Sequence, residues 1–447
     1  IEDGKVWSSD LSTLSVPLQE QLASTNHNFC QHNDQLIITG GYGYSPTAGD
    51  HVTYNQLTSI DIEKTIAAIK NNASLSNSIT QISDTLFDVT GGRLEVIDDT
   101  FYLVGGHQFE GRYNPMGPDH GPGFFQEYSN QIRKFTLENS PLTFKHVASF
   151  TDLELHRRDF NVVPQILPDQ TMGLTAFSGV FQIDEDLPFL NSVDISSKGY
   201  TVNNNFTQYY NHYHCASIPI YDSALNEMHT IFFGGIARYF DDNGTLAQDD
   251  DVPFVKTIAR VTRKSDGSMS ETKLDIEMPN LLGAGSEFIV NPTLPKYSNN
   301  ILKLNDLSGD SILVGYIFGG IESTAPNVFF SNSDNVSSAS NSIFKVYLIN
   351  EKTNSSGRLV KQNAQLFQVY PNPSSNAIKT QFHLQEPSNV SIVIRSLDGK
   401  QIVSKQLGKL KAENHIIETS FDSLTSGVYL ITLKTDQGEI THKIIIE

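Results

Sequence analysis

The sequence predicts an all-β chain: a series of four-stranded antiparallel sheets followed by a smaller β module. Three observations carry this. A bulky apolar run closed by two small residues returns along most of the chain. Each run has a short strand before it and an alternating strand after it. From Phe367 onward the composition and the turn chemistry change.

The clearest run is Phe101-Tyr102-Leu103-Val104-Gly105-Gly106. Leu36-Ile37-Ile38-Thr39-Gly40-Gly41, Ile231-Phe232-Phe233-Gly234-Gly235 and Tyr316-Ile317-Phe318-Gly319-Gly320 repeat it, and Leu174-Thr175-Ala176-Phe177-Ser178-Gly179 is a worn copy. Short runs rich in β-branched and aromatic residues suit strands buried on both faces. Paired glycines permit positive φ or the close approach of a neighbouring chain.

The preceding strands are predicted at 28–32, 94–97, 161–166, 216–221 and 287–290, and the following ones at 57–62, 131–136, 190–195, 254–261 and 342–349. A weaker fourth strand, such as 144–150 or 271–276, completes most units. Four antiparallel strands repeated every 40 to 50 residues or so mark a propeller blade, here stretched by long loops. These residues resemble kelch-type β-propellers over about 1–365. The tryptophan that kelch repeats usually carry in the outer strand is missing, because Trp7 is the only one in the chain. Lys5–Leu11 with Ser15–Leu18 reads as the last two strands of an incomplete first blade, which gives about six blades and implies roughly 60 residues ahead of Ile1. A short helix is predicted over Ile62–Lys70, a flexible loop over 331–342 and a linker over 350–365.

The final module predicts short strands at 390–396, 401–406, 428–434 and 441–446, with turns at Leu397-Asp398-Gly399-Lys400 and Thr435-Asp436-Gln437-Gly438. About 80 residues of this kind make a small, immunoglobulin-like β-sandwich. Tyr370-Pro371-Asn372-Pro373, Asp398-Gly399-Lys400 and the Gly427-Val428-Tyr429 strand start are its distinctive motifs. In that order they resemble the type A C-terminal sorting domain of the type IX secretion system of Bacteroidetes. The resemblance implies two domains, 1–365 and 366–447. It also implies that the second engages the secretion translocon and its cargo receptors, delivering the protein to the exterior of the outer membrane, secreted or on the cell surface.

Composition narrows the partners. The net charge of −19 argues against nucleic acid or an anionic membrane as partner. That excess lies entirely in the first 368 residues. No apolar run is long enough for a membrane-spanning helix. Cys30 and Cys215, both beside the repeated strands, read as buried thiols.

In an antiparallel meander, the loop after the second strand lies at the same end as the residues leading into the first. One face therefore collects the long loops and the segments around His27, Arg93, 156–159 and 212–214, and function on a rigid scaffold concentrates on such loops. The candidate ligand-binding residues there are Arg112, Tyr113, Asp119, His120, His156, Arg157, Arg158, His212, His214 and Arg238. An arginine fork suits carboxylates, and tyrosines suit stacking. Arg157 or Arg158 could equally form an inter-blade salt bridge. His212 and His214 share one side of an extended chain, but no metal-site spacing accompanies them. No cofactor is expected; the acidic stretch Asp241-Asp242 to Asp249-Asp250-Asp251 leaves weak Ca²⁺ binding open. The expected function is binding of an extracellular glycan or protein through this face. The rival is a carbohydrate enzyme, such as an epimerase, mutarotase or lyase, using arginine, histidine and acidic groups at the propeller mouth.

Overall fold

A computed structural model describes residues 5–114, 123–210, 212–242, 245–328, 336–349, 364–384, 386–396, 400–421, 424–436 and 438–446. The chain is all-β and divides into two compact units, Ile1–Glu351 and Lys352–Glu447.

In the first unit the repeated runs become the second strands of five successive antiparallel sheets. The first sheet orders Asn28–His32, Gln35–Thr39, Gln56–Asp61 and Ile79–Ser83. The second and third repeat that meander from Arg93–Ile97 and Asn161–Ile166. The fourth, starting at Ser217–Asp222, adds Leu302–Lys303 parallel to its first strand. The fifth has three strands, Ser286–Val290, Ser311–Gly319 and Ile343–Ile349.

Alternation along each run sends its side chains into two different cores. Phe101 and Leu103 join Cys30, Ile37 and Leu57 of the first sheet. Tyr102 and Val104 join Val162, Leu174 and Ala176 of the third. Val163 and Phe177 continue onto Phe232 and Val261 of the fourth, and Ile218 and Phe233 onto Ile312 and Ile317 of the fifth. The sheets thus stack face to face in chain order, and residues from all five first strands line one common cavity. That is how propeller blades pack around an axis.

The glycine pairs serve close approach. A Cβ on Gly40 would stand 1.7 Å from the Val89 carbonyl oxygen of the next connection, and its φ is +66°. In the worn copy Ser178 takes the same left-handed conformation, with φ +53°.

The N-terminal expectation is overturned. Residues 5–22 hold no incomplete blade: Leu11–Thr13 is a 3-10 turn and Val16–Leu22 an α-helix with Pro17 in its first turn. Proline pre-sets φ for that position. Leu14 and Leu18, four apart, bury against Leu75 and Ile79. Gln21, fully buried, donates to the Gly40 and Gln56 carbonyls at 3.1 and 3.0 Å and accepts from Thr58. The helix is therefore a cover for the first sheet. The helix predicted over Ile62–Lys70 is present, capped by Asp61 accepting from the Lys64 amide at 3.0 Å. Both cysteines are free and buried.

The segments after the glycine pairs are more regular than loops. They form hairpins: Tyr42–Ser45 with Asp50–Thr53, His107–Glu110 with Phe125–Tyr128, and Tyr239–Asp242 with Thr245–Gln248. Ile321–Ser323 pairs with Ser337–Ala339 in the same way.

In the second unit, Ala364–Tyr370, Ala377–Leu384 and Asn414–Ser420 form one sheet. Gln401–Leu410, Ser388–Ser396, Gly427–Thr435 and Gly438–Ile446 form the other. Ile378 and Phe382 of the first meet Ile392, Ile431 and Ile444 of the second in a single core, which makes a sandwich.

Candidate functional site

The hairpins of the first two sheets carry a continuous row of aromatic rings. Tyr44 touches His51 and His51 touches Tyr42, with centroids 5.4 and 5.8 Å apart. Tyr42 meets Phe109 at 5.2 Å, and Phe109 stacks on Phe124 at 4.7 Å and leans on Tyr113 at 5.8 Å. From Phe109 the row passes to His107, then Tyr128, then His156, which stacks on Tyr128 at 3.8 Å. Tyr42 also braces the tip, donating to the Gly111 carbonyl at 2.6 Å and accepting from the Tyr113 amide at 3.0 Å. Tyr44, Tyr113 and Phe125 are about half exposed.

Arg158 closes one end of the row. Its Nε donates to the Tyr128 hydroxyl at 3.0 Å, its Nη1 pairs with Asp159, and its guanidinium lies 5.2 Å from the Phe181 ring. Burial alone would lower its pKa, but Asp159 and the surrounding tyrosines outweigh it and raise it, so the charge is permanent. Among the described residues nothing is bonded to Nη2. The Tyr213 hydroxyl is likewise buried without a partner, and burial holds it in the protonated form. Burial, aided by Arg158, pushes His107 well below its ordinary pKa; burial lowers His156 too. Both imidazoles are therefore neutral members of the row.

Arg157 faces the other way. It is 1% exposed, and Nε donates to the Glu154 carbonyl at 2.6 Å. Nη1 donates to the Ser178 and Asn191 carbonyls at 2.6 and 3.1 Å, and Nη2 to Asn191 Oδ1 and Glu154. All five donors are spent inside the protein, so it has none for a ligand.

His212 and His214 do not share a side. His212 has φ +47°, which breaks the alternation an extended chain would give. Its ring is fully buried on Phe232, with Nδ1 2.6 Å from the Gly234 carbonyl, and burial pushes its pKa down to about 4. His214 instead reaches the axis, where its Nε2 lies 2.8 Å from Glu287 and 2.6 Å from Arg93. Arg112 is exposed. Arg238 pairs with Asp250 at 2.7 Å on the third hairpin. Asp119 and His120 lie outside the described residues.

The candidate residues omit Tyr128, Asp159 and Tyr213, though the segments that hold them fall on the predicted face, and they omit Tyr42, His51 and Phe109 of the aromatic row. Tyr128 belongs to a hairpin strand that a long polar segment disguised. Tyr213, between two conspicuous histidines, drew less notice than they did.

In the second unit Asn372 is pinned to the last strand. It donates to the Lys443 carbonyl at 3.0 Å and accepts from the Ile445 amide at 2.8 Å. Tyr370 lies beside it, its hydroxyl 3.3 Å from Gln381. Pro371 and Pro373 flank the asparagine. Tyr429, buried and two residues past Gly427, donates to the Thr425 carbonyl at 2.8 Å. Lys400 is described, whereas Asp398 and Gly399 lie outside the described residues.

Residues 368–447 match the family model described as the secretion system C-terminal sorting domain. The protein is thus exported through type IX secretion, to the cell surface or the medium. No helix of the described residues is long and apolar enough to cross a membrane. No curated protein matches the chain. Among solved structures it is similar to YjhT, at 11% identity over 71% of this chain and 84% of that one, TM-score 0.39. It is similar to an exo-β-1,3-galactanase from Phanerochaete chrysosporium bound to galactose, at 12% identity over 94% and 95%, TM-score 0.31. It is also similar to PorZ, a surface component of the type IX secretion system of Porphyromonas gingivalis, at 11% identity over 94% and 59%, TM-score 0.20.

Proposed function

We propose that this exported protein binds an extracellular glycan through the hairpin face of its first unit, which we read as a kelch-type propeller. The observation that supports it most is the pairing of an aromatic row with loose polar ends. Half-exposed tyrosine and phenylalanine rings offer platforms for the apolar faces of sugar rings. Arg158 Nη2, which bonds to no described residue, supplies hydrogen bonds for hydroxyls or a carboxylate. The sorting domain brings the face to where glycans are met, and it remains the part that engages the translocon and its cargo receptors.

A glycan array probed with the full chain tests this. Arg158→Ala and Tyr113→Ala should each weaken the captured glycan about tenfold, in line with the loss of one charged hydrogen bond or one stacking ring. Unchanged binding in both variants would reject the face. Capture of a protein partner, with no glycan bound, would move the reading to protein recognition.

The enzyme reading finds less support on this face. His212, one of the imidazoles that reading would use, is fully buried against Phe232 and out of a substrate's reach.

A further inference from the structure

A second site lies on the axis, between the five first strands. The five first strands enclose a cavity of about 680 Å³, a size typical of small-molecule sites. It runs from Arg93 and Glu287, at strand starts, to Asp98, Asp99 and His32, at the opposite turns. Arg93 and Glu287 hold equivalent places in the second and fifth sheets, each paired with the residue just before the glycines. They meet across the axis at 3.2 Å, and His214 of the connection into the fourth sheet joins Glu287 at 2.8 Å.

Both of those contacts fall on Glu287 Oε1, which leaves Oε2 without a partner among the described residues. Glu95 follows Arg93 by two residues, so it shares the same side of the strand. It lines the cavity and hydrogen-bonds to no described residue. Burial pushes its carboxyl up to about 8, against the pull of Arg93 and helped by Glu287, so at neutral pH it is an O–H donor. The Arg93 end of the cavity thus presents one donor carboxyl, one acceptor oxygen and an ion pair whose charges cancel.

We propose that this axial cavity binds a neutral, hydroxyl-rich small molecule, of monosaccharide or disaccharide size, whose hydroxyls bond to Glu95 and to the free oxygen of Glu287. Charge excludes the alternatives. An anion would meet Asp98 and Asp99 at one end, and Asp99 already engages His32 at 2.9 Å. An ammonium ligand would meet Arg93 at the other end. A neutral polyol meets neither penalty and supplies the hydrogen bonds that the two carboxyls lack.

Saturation-transfer NMR of the full chain with galactose, glucose and lactose, each alone, tests the site. At least one sugar should show transfer. Gln31→Trp, placed on an exposed cavity-lining position, should abolish it by filling the space, and Glu95→Leu should weaken it about tenfold. Arg158→Ala, on the hairpin face, should leave it intact, so failure here and failure of the glycan reading are told apart. The proposal is overturned if none of the three sugars shows transfer and the cavity holds solvent alone. It is equally overturned if transfer survives both cavity variants, or if spermidine shows transfer where the sugars do not.

Discussion

Arg157 and Arg158 are adjacent in sequence and opposite in use. On one side of the chain, Arg157 is buried with every donor bonded to Glu154, Ser178 and Asn191, joining the connection before the third sheet to that sheet. On the other, Arg158 keeps one guanidinium nitrogen unbonded among the described residues, beside Tyr128. Alternation along the strand-like segment sends the two side chains to different environments. Polar groups whose bonds are complete hold this fold together; those left incomplete, on the hairpin face and at Glu95, are where ligands are expected.

The sharpest break of that contrast is in stability. Arg157→Ala should destabilise the first unit by about 3–5 kcal/mol, because it empties a fully buried site and leaves the Ser178 and Asn191 acceptors without their donor. Arg158→Ala should cost clearly less, since only the Tyr128 hydroxyl and Asp159 lose a bond and the guanidinium is itself partly exposed. Urea unfolding of both variants measures this. Equal losses would mean that the two arginines are both structural and that the hairpin face has no free cation to offer.

A smaller effect follows from the incomplete carboxyls. Burial lifts Glu95 and Glu271 each to about 8, with Arg93 opposing the rise at Glu95 and the Tyr209 and Tyr210 amides opposing it at Glu271. Each then carries a proton in the folded chain that the unfolded chain releases above about pH 4.5. The folded state binds more protons between those values, so stability falls as pH rises through that window. His212 acts in the opposite sense, its pKa being lowered to about 4. Its contribution is complete above pH 6.5 and lost as pH falls toward 4. Between pH 6.5 and 8 the carboxyls therefore stand out. The melting temperature should drop across that interval, and Glu95→Gln with Glu271→Gln should flatten the drop. A wild-type profile that is level or rising there would remove the case for a protonated Glu95 on the axis.

Much of the architecture was legible because it is repetitive. Five apolar runs with small residues after them give the sheets, their order and the shared end where connections gather, and the sorting module declares itself through fixed turn motifs. What stayed hidden did so for local reasons. Leu14 and Leu18 fit a short strand as well as a helix, and the buried Gln21 that ties the helix to the first sheet looks unremarkable in sequence. The hairpins after the glycines are short and interrupted, so Tyr128 and Phe109 read as loop residues when they are strand residues. His212 and His214 attracted attention as a pair, yet one positive φ separates them. Arg93, Glu95 and Glu287 lie far apart along the chain, and only the closing of the strands around an axis brings them together.

The worn copy offers the finest test of the same contrast. In the other four runs a glycine takes the left-handed conformation at the position held here by Ser178, which has φ +53°. That conformation costs a residue with a side chain roughly 1 kcal/mol. Ser178 also leaves its hydroxyl buried without a partner, a further penalty. Its carbonyl, not its side chain, is what Arg157 uses, and glycine keeps that carbonyl. Ser178→Gly should therefore stabilise the first unit by about 1 kcal/mol. A variant of equal or lower stability in urea would mean that the Ser178 hydroxyl is bonded after all, and that the third sheet departs from its neighbours for a structural reason.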